Sequence, residues 1–560
     1  MPIDYQTLRF DYVRAPDQDA ESGVIHRVVI VGAGPVGLAA AIDLAQRGVE
    51  TIVVDNDDTL STGSRAICFA KRTLEIFDRL GCGDRMVEKG VSWNVGKVFL
   101  QDELIYTFNL LPETGHARPA FINLQQYYVE GYLAERAMQL NNLQLRWKNN
   151  VIGVTQRDDH VELQVETPEG VYPLRARYVI AADGARSPLR GMLGLDSKGR
   201  TFKDRFLIAD VKMKASFPTE RWFWFDPPFH RNQSVLLHRQ PDDVWRIDFQ
   251  LGWDADPVAE VAPERVIPRV KALLGENVEF DLEWVSVYTF SCRRMDSFRH
   301  GRVLFAGDSA HGVSPFGARG ANSGVQDADN LVWKLKLVID GAAPPALLDT
   351  YASEREYAAD ENILNSTRAT DFITPKSPVS RLFRDATLKL AKDYPFARRI
   401  VNSGRLSVPA VLSGSPLNTP DVKDDVFSCS MIPGAVSADA PVHVEGKGAW
   451  FLNRIGSGEF TGLYFCGIGD DVATTAGQLA ALAHLPIPVR PLIVIPRGGS
   501  ACARSDALVV EDVEGILAHR FDARPGTFYL LRPDQHVCAR WRELNIDSIS
   551  AALRRATCTG

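Results

Sequence analysis

The sequence predicts an α/β protein of several domains: a parallel β-α-β core, a middle antiparallel sheet, and a separate C-terminal α/β segment. Three observations predict it. A β-branched run, Val28-Val29-Ile30-Val31, ends at glycines and is followed by a helix-spaced stretch and a second apolar run. Polar and apolar residues alternate from Ser234 to Leu251. A Pro- and Ser-rich stretch, Val408 to Pro420, sets off the short strand-like runs that come after it. At 560 residues the chain is longer than one hydrophobic core supports, which agrees with that division.

In chain order, Arg27 to Val31 reads as a strand buried on both faces, since it is a continuous β-branched run. Val36 to Arg47 gathers Ala, Leu and Ile on one helical face, and Thr51 to Val54 is the next buried strand. Strand alternation recurs through Leu143 to Val165. From Ser234 to Leu251 the alternation has the form of a half-exposed sheet. Val303 to Ala306 is a further strand that runs into a glycine-rich turn and a helix, Ala321 to Ile339. Thr374 to Val379 is another Pro/Ser-rich break. Beyond 420, Leu492 to Ile495, Ala507 to Val510 and Thr527 to Leu531 read as short strands among helical segments.

Composition narrows the function. Apolar residues at 45% and charged residues at 24% are those of a globular chain. A net charge of -7 with no basic block leaves no footprint for nucleic-acid phosphates. The eight cysteines are scattered, with no Cys-x-x-Cys and no Cys/His cluster at zinc spacing, so neither a metal site nor a disulfide framework is expected. That pattern suits thiols in a reducing cytosol. Met1 to Asp19 is polar, without the apolar stretch of a signal peptide. The most apolar later stretch, Ala480 to Pro496, is broken by Pro486, Pro488, Arg490 and Pro491 and cannot span a bilayer as one helix. A cytoplasmic protein with no membrane partner is expected.

Gly32-Ala33-Gly34-Pro35-Val36-Gly37 follows the first strand and opens the first helix. Gly32 permits the tight turn, Gly34 lets a pyrophosphate approach the backbone, and Gly37 allows close packing of helix on strand. The helix N-terminus at Pro35 and Val36 turns its free N–H groups toward the anion. Asp55 closes the second strand, where a carboxylate accepts from a ribose 2′-hydroxyl. Strand, loop, helix, strand and acid in this order predict a dinucleotide site, without deciding between FAD and NAD(P).

Two later segments decide it. Gly307-Asp308-Ser309-Ala310-His311 ends the Val303–Ala306 strand, and Pro315-Phe316-Gly317-Ala318-Arg319-Gly320-Ala321-Asn322 leads into the next helix. A glycine-rich turn opening a helix supplies the fixed backbone donors that a reduced flavin anion needs. Ala182-Asp183-Gly184-Ala185-Arg186-Ser187 follows the strand Tyr178 to Ala181. On these residues the sequence resembles the single-component (class A) flavoprotein aromatic hydroxylases, the family of p-hydroxybenzoate hydroxylase and phenol hydroxylase. The resemblance covers Val24 to Asp371 and implies FAD in a Rossmann-like domain. It places Asp308 on the flavin ribityl chain and Pro315 with its turn beside the isoalloxazine. The helix start at Gly320, Ala321 and Asn322 then faces flavin N1 and O2. Asp183 and Gly184 support FAD and are implicated in nicotinamide use, Arg65 stands near the flavin, and Gln126 near the ribityl chain. His311 is expected to pack and hydrogen-bond. The run Arg532-Pro533-Asp534-Gln535-His536-Val537 resembles the thioredoxin-like appendage of the phenol-hydroxylase branch. Lacking Cys-x-x-Cys, that appendage has no dithiol chemistry and reads as an assembly or packing domain.

The implied boundaries are an FAD-binding domain from 24–200 and 285–400, a middle antiparallel-sheet substrate domain from 201–284 joined by parts of 90–125, a linker at 401–420, and a thioredoxin-like domain at 421–560. In the strand Val244 to Leu251, Arg246, Asp248 and Gln250 share one face and Trp245, Ile247 and Phe249 the other. The phenol-hydroxylase branch has a similar strand with its polar face in the active site, but with an aromatic hydroxyl where this chain has Asp248. Hydroxylation through a flavin C4a-hydroperoxide needs an electron-rich ring, and a base that takes the phenol proton provides one. Asp248 is the candidate base, with Arg246 near flavin or substrate and His238 and Tyr288 as alternatives. The departure at Asp248 leaves the identity of the base open. The aromatic run Trp222-Phe223-Trp224-Phe225 reads as core or pocket wall.

The expectation is therefore an FAD-dependent monooxygenase that takes NADH or NADPH and O2 and hydroxylates a small phenolic substrate. A homodimer is implied by the resemblance. The alternatives are an epoxidase or Baeyer–Villiger-type oxygenase on a polyketide-like substrate, and a flavin-loaded redox sensor.

Overall fold

A computed structural model describes residues 4–19, 23–61, 63, 66–215, 217–401, 407–456, 458–499 and 507–560. Its first sheet has eight strands. Five run parallel, in the order Val303–Phe305, Gly170–Ala181, Ile25–Val31, Thr51–Val54, Leu143–Arg146. Val161–Thr167 and Asn150–Gln156 extend it as an antiparallel meander, so the Leu143–Val165 alternation resolves into three strands. Within Ile25–Val31 the β-branched run Val28 to Val31 is buried on both faces, as a central parallel strand requires, while Ile25 at its start is exposed. Helix Pro35–Gln46 packs its alanines and leucines on this sheet beside helix Gly320–Ile339.

Register brings the sequence motifs together. Val31 pairs with Val54 and Ala181, and Ala181 with Phe305, so the residues that follow them emerge side by side at the carboxyl ends of the strands. Open α/β sheets bind their ligands at that edge.

The second sheet has seven strands, ordered Asp281–Tyr288, Arg205–Lys212, Val244–Leu251, Ser234–Arg239, Arg221–Phe225, Val95–Leu100, Glu103–Asn109. Only the pair Arg221–Phe225 with Val95–Leu100 is parallel; the other neighbours are antiparallel. The expectation of a half-exposed sheet over Ser234 to Leu251 is corrected. Every residue of Val244–Leu251 is buried. Trp245, Ile247 and Phe249 lie under helix Pro263–Leu274, through Val266 and Val270. The polar face is covered too, by the small sheet of Cys68–Ala70, Phe121–Asn123 and Val91–Trp93.

The third sheet also has seven strands. Phe460–Phe465, helix Val472–Leu479 and parallel Val489–Pro496 form a β-α-β unit. Antiparallel Phe528–Leu531 and Val537–Trp541, then helix Ile546–Ala556, complete a thioredoxin-like order. The stretch 407–420 does not run free. Leu412 and Leu417 are buried, and Thr419 N–H donates to the Cys538 carbonyl at 3.0 Å.

The Arg532–His536 turn plugs this third unit into the first. Arg532 donates to both oxygens of Glu354, at 2.7 and 3.0 Å, and to Asp534. Lys334 Nζ reaches Glu354 at 2.7 Å, and Trp333 Nε1 donates to Asp534 at 3.1 Å. From helix Lys71–Leu80, Arg72 donates to Gln535 Oε1 and to Asp329. Among the described residues no helix is long and apolar enough to cross a membrane, and the seven described cysteines are free.

Candidate active site

The glycine loop is shaped by contacts that leave room for a ligand. Gly32 has φ 109°, and a Cβ there would collide with the Ala182 carbonyl; one at Gly37 would collide with the Gly32 carbonyl. These two glycines are needed by the fold itself. Gly34 is different. Its φ of -71° suits any residue, and a Cβ would meet nothing within 4 Å. The open space lies at the start of helix Pro35–Gln46, beside Val36, and no side chain caps that helix. Helix Gly320–Ile339 likewise begins without a side-chain cap. Two helix N-termini with uncommitted donors suit a pyrophosphate and a flavin that becomes anionic.

The surrounding side chains brace these loops. Asp55 accepts from Ala33 N–H at 2.6 Å and Asp57 N–H at 2.9 Å, and its burial raises its carboxyl despite these donors. Asp183 accepts from Ser187 Oγ and Leu189 N–H, fastening the turn around Gly184. Arg190 ties this turn to the Ser309 carbonyl at 2.8 Å. Gln126 accepts from Ala66 N–H and donates to Ser61 and Glu130, which holds the segment leading to Cys68. Arg65 lies outside the described residues. Gly307 has φ 65°, and its N–H donates to Asp327. His311 and Arg355 also bond Asp327; burial raises that carboxyl, but the two partners outweigh it and the net shift is downward. Asp308 is exposed between buried Gly307 and Ser309, facing the same edge. After Pro315, the turn takes Gly317 to φ 101° and Ala318 to φ 52°, a left-handed conformation uncommon for alanine. Asn322 holds Ala70 N–H and the Cys68 and Ala318 carbonyls, so its side chain is spent on the Cys68–Ala70 strand.

A largely apolar cleft lies beside this turn. Its walls include Val98, Phe108, Phe223, Phe225 and Ile373; Phe316, Gly317 and Arg319 belong to the turn, and Arg221 brings a second cation. Behind Arg221 stands a buried polar cluster. Arg246 pairs with Asp210 across the strands through two hydrogen bonds, 2.8 and 2.7 Å. Gln250 accepts from Ser234. Asp248 is 8% exposed, and no described group donates a hydrogen bond to it; His238 Nε2 is 3.8 Å away, too far for one. Burial pulls His238 down to about 4, with Arg221 and Arg246 adding to it and Asp248 opposing, so the imidazole is neutral at pH 7. Burial and Asp248 raise the Tyr288 phenol well above its ordinary value, against Arg246 and Arg221. Arg221, Arg246 and Asp248 thus surround Cys68, His238 and Tyr288.

The family model described as FAD binding domain matches residues 26–366, which span all of these motifs. The chain belongs to the FAD binding domain family. A flavin-dependent monooxygenase of Mycobacteroides abscessus is 33% identical over 378 residues, 63% of this chain and 77% of that protein. The 3-(3-hydroxy-phenyl)propionate/3-hydroxycinnamic acid hydroxylase 2 of Burkholderia vietnamiensis is 28% identical over 569 residues, 94% of this chain and 96% of that protein. The crystal structure of the flavin-dependent monooxygenase PieE with FAD and substrate superimposes with a TM-score of 0.79, covering 96% of this chain and 100% of that one. At 22% identity it shows the shared fold.

FAD is therefore the dinucleotide. The open space at Gly34, the two uncapped helices and the exposed Asp308 fit its pyrophosphate, isoalloxazine and ribityl chain. The structure brings Asp248 and Arg246, which the strand pattern set on one face, together with His238 and Tyr288, the alternative bases. Sequence reasoning did not find Arg221, Arg319, Phe316 or Asp210. The aromatic run at 222–225 was the available signal: Phe223 and Phe225 turn into the cleft, while Trp222 and Trp224 pack on the other face with Phe99.

Proposed function

We propose that this enzyme is an FAD-dependent monooxygenase that uses NADH or NADPH and O2 to hydroxylate a small phenolic substrate held in the cleft beside the Pro315–Arg319 turn. The observation that carries the reading is the Asp248 carboxylate, buried without a hydrogen-bond donor in the polar cluster that Arg221 joins to the cleft. A carboxylate to which the protein supplies no donor is free to accept one from a ligand, and a phenol hydroxyl is such a donor.

Bound FAD, once reduced, supplies the activated oxygen. This chain's residues do the rest. The phenol donates to Asp248, and transfer of its proton raises electron density at the ring carbons ortho and para to oxygen. Neutral His238 adds no positive charge that would hold Asp248 from that proton. Phe108, Phe223, Phe225 and Phe316 grip the ring's faces and keep water from the oxygen donor. Asp308 would hold the ribityl chain, and the backbone donors from Gly320 to Asn322 would stabilise negative charge on the reduced flavin.

The reading includes a cytoplasmic homodimer. Its free thiols fit a reducing compartment, and exposed Val379, Leu382 and Phe383 on helix Pro378–Asp393 offer an apolar face for a second copy.

The test is NAD(P)H oxidation by the FAD-loaded enzyme against a panel of phenols, with product masses. One phenol should accelerate oxidation and return one oxygen atom heavier. Slow oxidation that no phenol accelerates would point away from hydroxylation.

A further inference from the structure

Among the described residues, those lining the cleft run no further along the chain than Val401, so the third sheet brings none. It nevertheless grips the segment that leaves the cleft wall. Phe108 lines the cleft from strand Glu103–Asn109, and residues 110–120 run from that strand to Phe121–Asn123. Arg520, at the end of the short helix Ile516–Arg520, holds the middle of this run. Its guanidinium donates to the Gly115 carbonyl at 2.6 Å, the Thr114 carbonyl at 2.7 Å and the Asp439 carbonyl, and to His116 Nε2 at 3.1 Å. The Asp439 carboxylate accepts from Ala117 N–H at 3.1 Å. Gly115 sits so close to the helix that a Cβ would meet Ile516 Cδ1 at 3.0 Å. Only a planar fork of several donors can serve carbonyls of two segments at once, which is arginine's geometry. Burial, Lys71 and Arg520 pull His116 down to about 4, so at pH 7 its neutral ring accepts from Arg520. The start of the run bears on the flavin turn. Leu110, Leu111 and Ala318 pack against one apolar cluster that includes Trp93, Ala120 and Phe121. Ala318 is the residue held at φ 52°, between Gly317 and Arg319 of the cleft wall.

We infer that Arg520 is a positioning residue for the cleft. By clamping Thr114 to His116 it fixes Leu110 and Leu111 on the cluster that carries Ala318, so the third sheet shapes a pocket it does not line. The inference rests on the hydroxylase reading and goes beyond it, giving the C-terminal unit a part in the reaction. A left-handed alanine is costly by itself and persists where its surroundings impose it. Here those surroundings are tied to Arg520. A reacting group misplaced by about 1 Å can lose roughly 10²-fold in rate, and a cleft that admits water lets activated oxygen escape before it meets the ring. Each NAD(P)H oxidised without hydroxylation then sends its two electrons to O2, which takes two protons and leaves as H2O2. Loss of the clamp therefore shows as H2O2, with flavin retained. The Arg532–Glu354 contact docks the same unit through Lys334, Asn330 and Ser415, none of them in 110–120, so docking in general can be separated from the clamp.

The test measures H2O2 and hydroxylated product per NAD(P)H in the FAD-loaded full-length enzyme, with the phenol that best stimulates the wild type. Arg520→Met should raise the ratio of H2O2 to product roughly 3- to 10-fold, the weight of about one net hydrogen bond, with FAD occupancy unchanged. Arg520→Lys should recover part of the coupling. Glu354→Gln, which costs more stability, should raise that ratio less. A ratio that instead follows the loss of stability, largest in Glu354→Gln, overturns the clamp. Hydrogen exchange on the FAD-loaded protein gives a readout without turnover: Arg520→Met should speed exchange in 110–120 and in 316–320. Faster exchange confined to 110–120 overturns the link to the flavin turn. Should Arg520→Met not fold, Ile516→Ala, which removes only the packing on Gly115, carries both comparisons. If the wild type hydroxylates and Arg520→Met couples equally well, only the clamp fails. If the wild type hydroxylates no phenol, the hydroxylase reading falls, and the clamp's part in the reaction falls with it.

Discussion

Charge is buried in two places in this molecule and handled oppositely. Where the C-terminal sheet docks, Arg532 binds Glu354 and Asp534, Lys334 adds to Glu354, and Asn330 and Trp333 donate to what remains. Burial raises both carboxylates, but their cationic partners outweigh it and hold them below their ordinary range. In the substrate sheet Arg246 has Asp210, but among the described residues no carboxylate pairs with Arg221 and no group donates a hydrogen bond to Asp248. The first arrangement is complete and serves to hold two sheets together. The second leaves donors and acceptors that a ligand in the proposed reading would take. Buried polar clusters of equal depth can thus be separated into structural and functional ones by counting what each group lacks.

The comparison can be broken most forcefully at Glu354. Glu354→Gln leaves buried Lys334 without its carboxylate and Arg532 with Asp534 alone, and should cost about 3–5 kcal/mol of stability by chemical denaturation. A loss under about 1 kcal/mol would mean that the docking network is not the matched set described. Asp248→Asn should do the reverse. It should leave stability and bound FAD unchanged while slowing hydroxylation by roughly 10²-fold or more and diverting electrons to H2O2. An unchanged product yield per NAD(P)H would remove Asp248 from the base's role. Asp308→Ala should weaken FAD retention by roughly 10- to 100-fold, as loss of a charged hydrogen bond does. Full flavin occupancy after gel filtration would count against it.

The smallest effect concerns His238. Its folded-state value near 4 lies below the ordinary 6.5, so its stabilising contribution is whole above pH 6.5 and is lost as pH falls toward 4. His238→Gln should therefore flatten the fall in Tm between pH 7 and 4.5, by roughly 2 to 4 °C. Parallel curves for the two proteins would show that His238 is not held neutral by burial.

The FAD core was legible because its signals are local. Val28–Val31, the glycine loop and Asp55 lie within one β-α-β unit, and parallel register carries Asp183 and Asp308 to the same edge. Alternation in Val244–Leu251 correctly separated Arg246, Asp248 and Gln250 from Trp245, Ile247 and Phe249. It could not distinguish a face turned to water from one covered by Cys68, Asn123 and cross-strand ion pairs, because both demand polar residues. The Asp210–Arg246 pair depends on strand register across 36 positions of sequence, which no local pattern encodes. Arg221 was hidden for the same reason. That no described carboxylate pairs with it is a property of the assembled cleft. Asn322 and Asp183 sit in recognisable motifs, yet their side chains brace neighbouring backbone, a division of labour that spacing cannot reveal.

The most direct test of the account is turnover under 18O2, with the phenol that best stimulates NAD(P)H oxidation. The account predicts a product carrying one 18O atom on the ring in the wild-type enzyme. It predicts mostly labelled H2O2 from Asp248→Asn with its FAD still bound. Wild-type turnover that consumes NAD(P)H and returns every phenol unlabelled, with all the oxygen in H2O2, would contradict it.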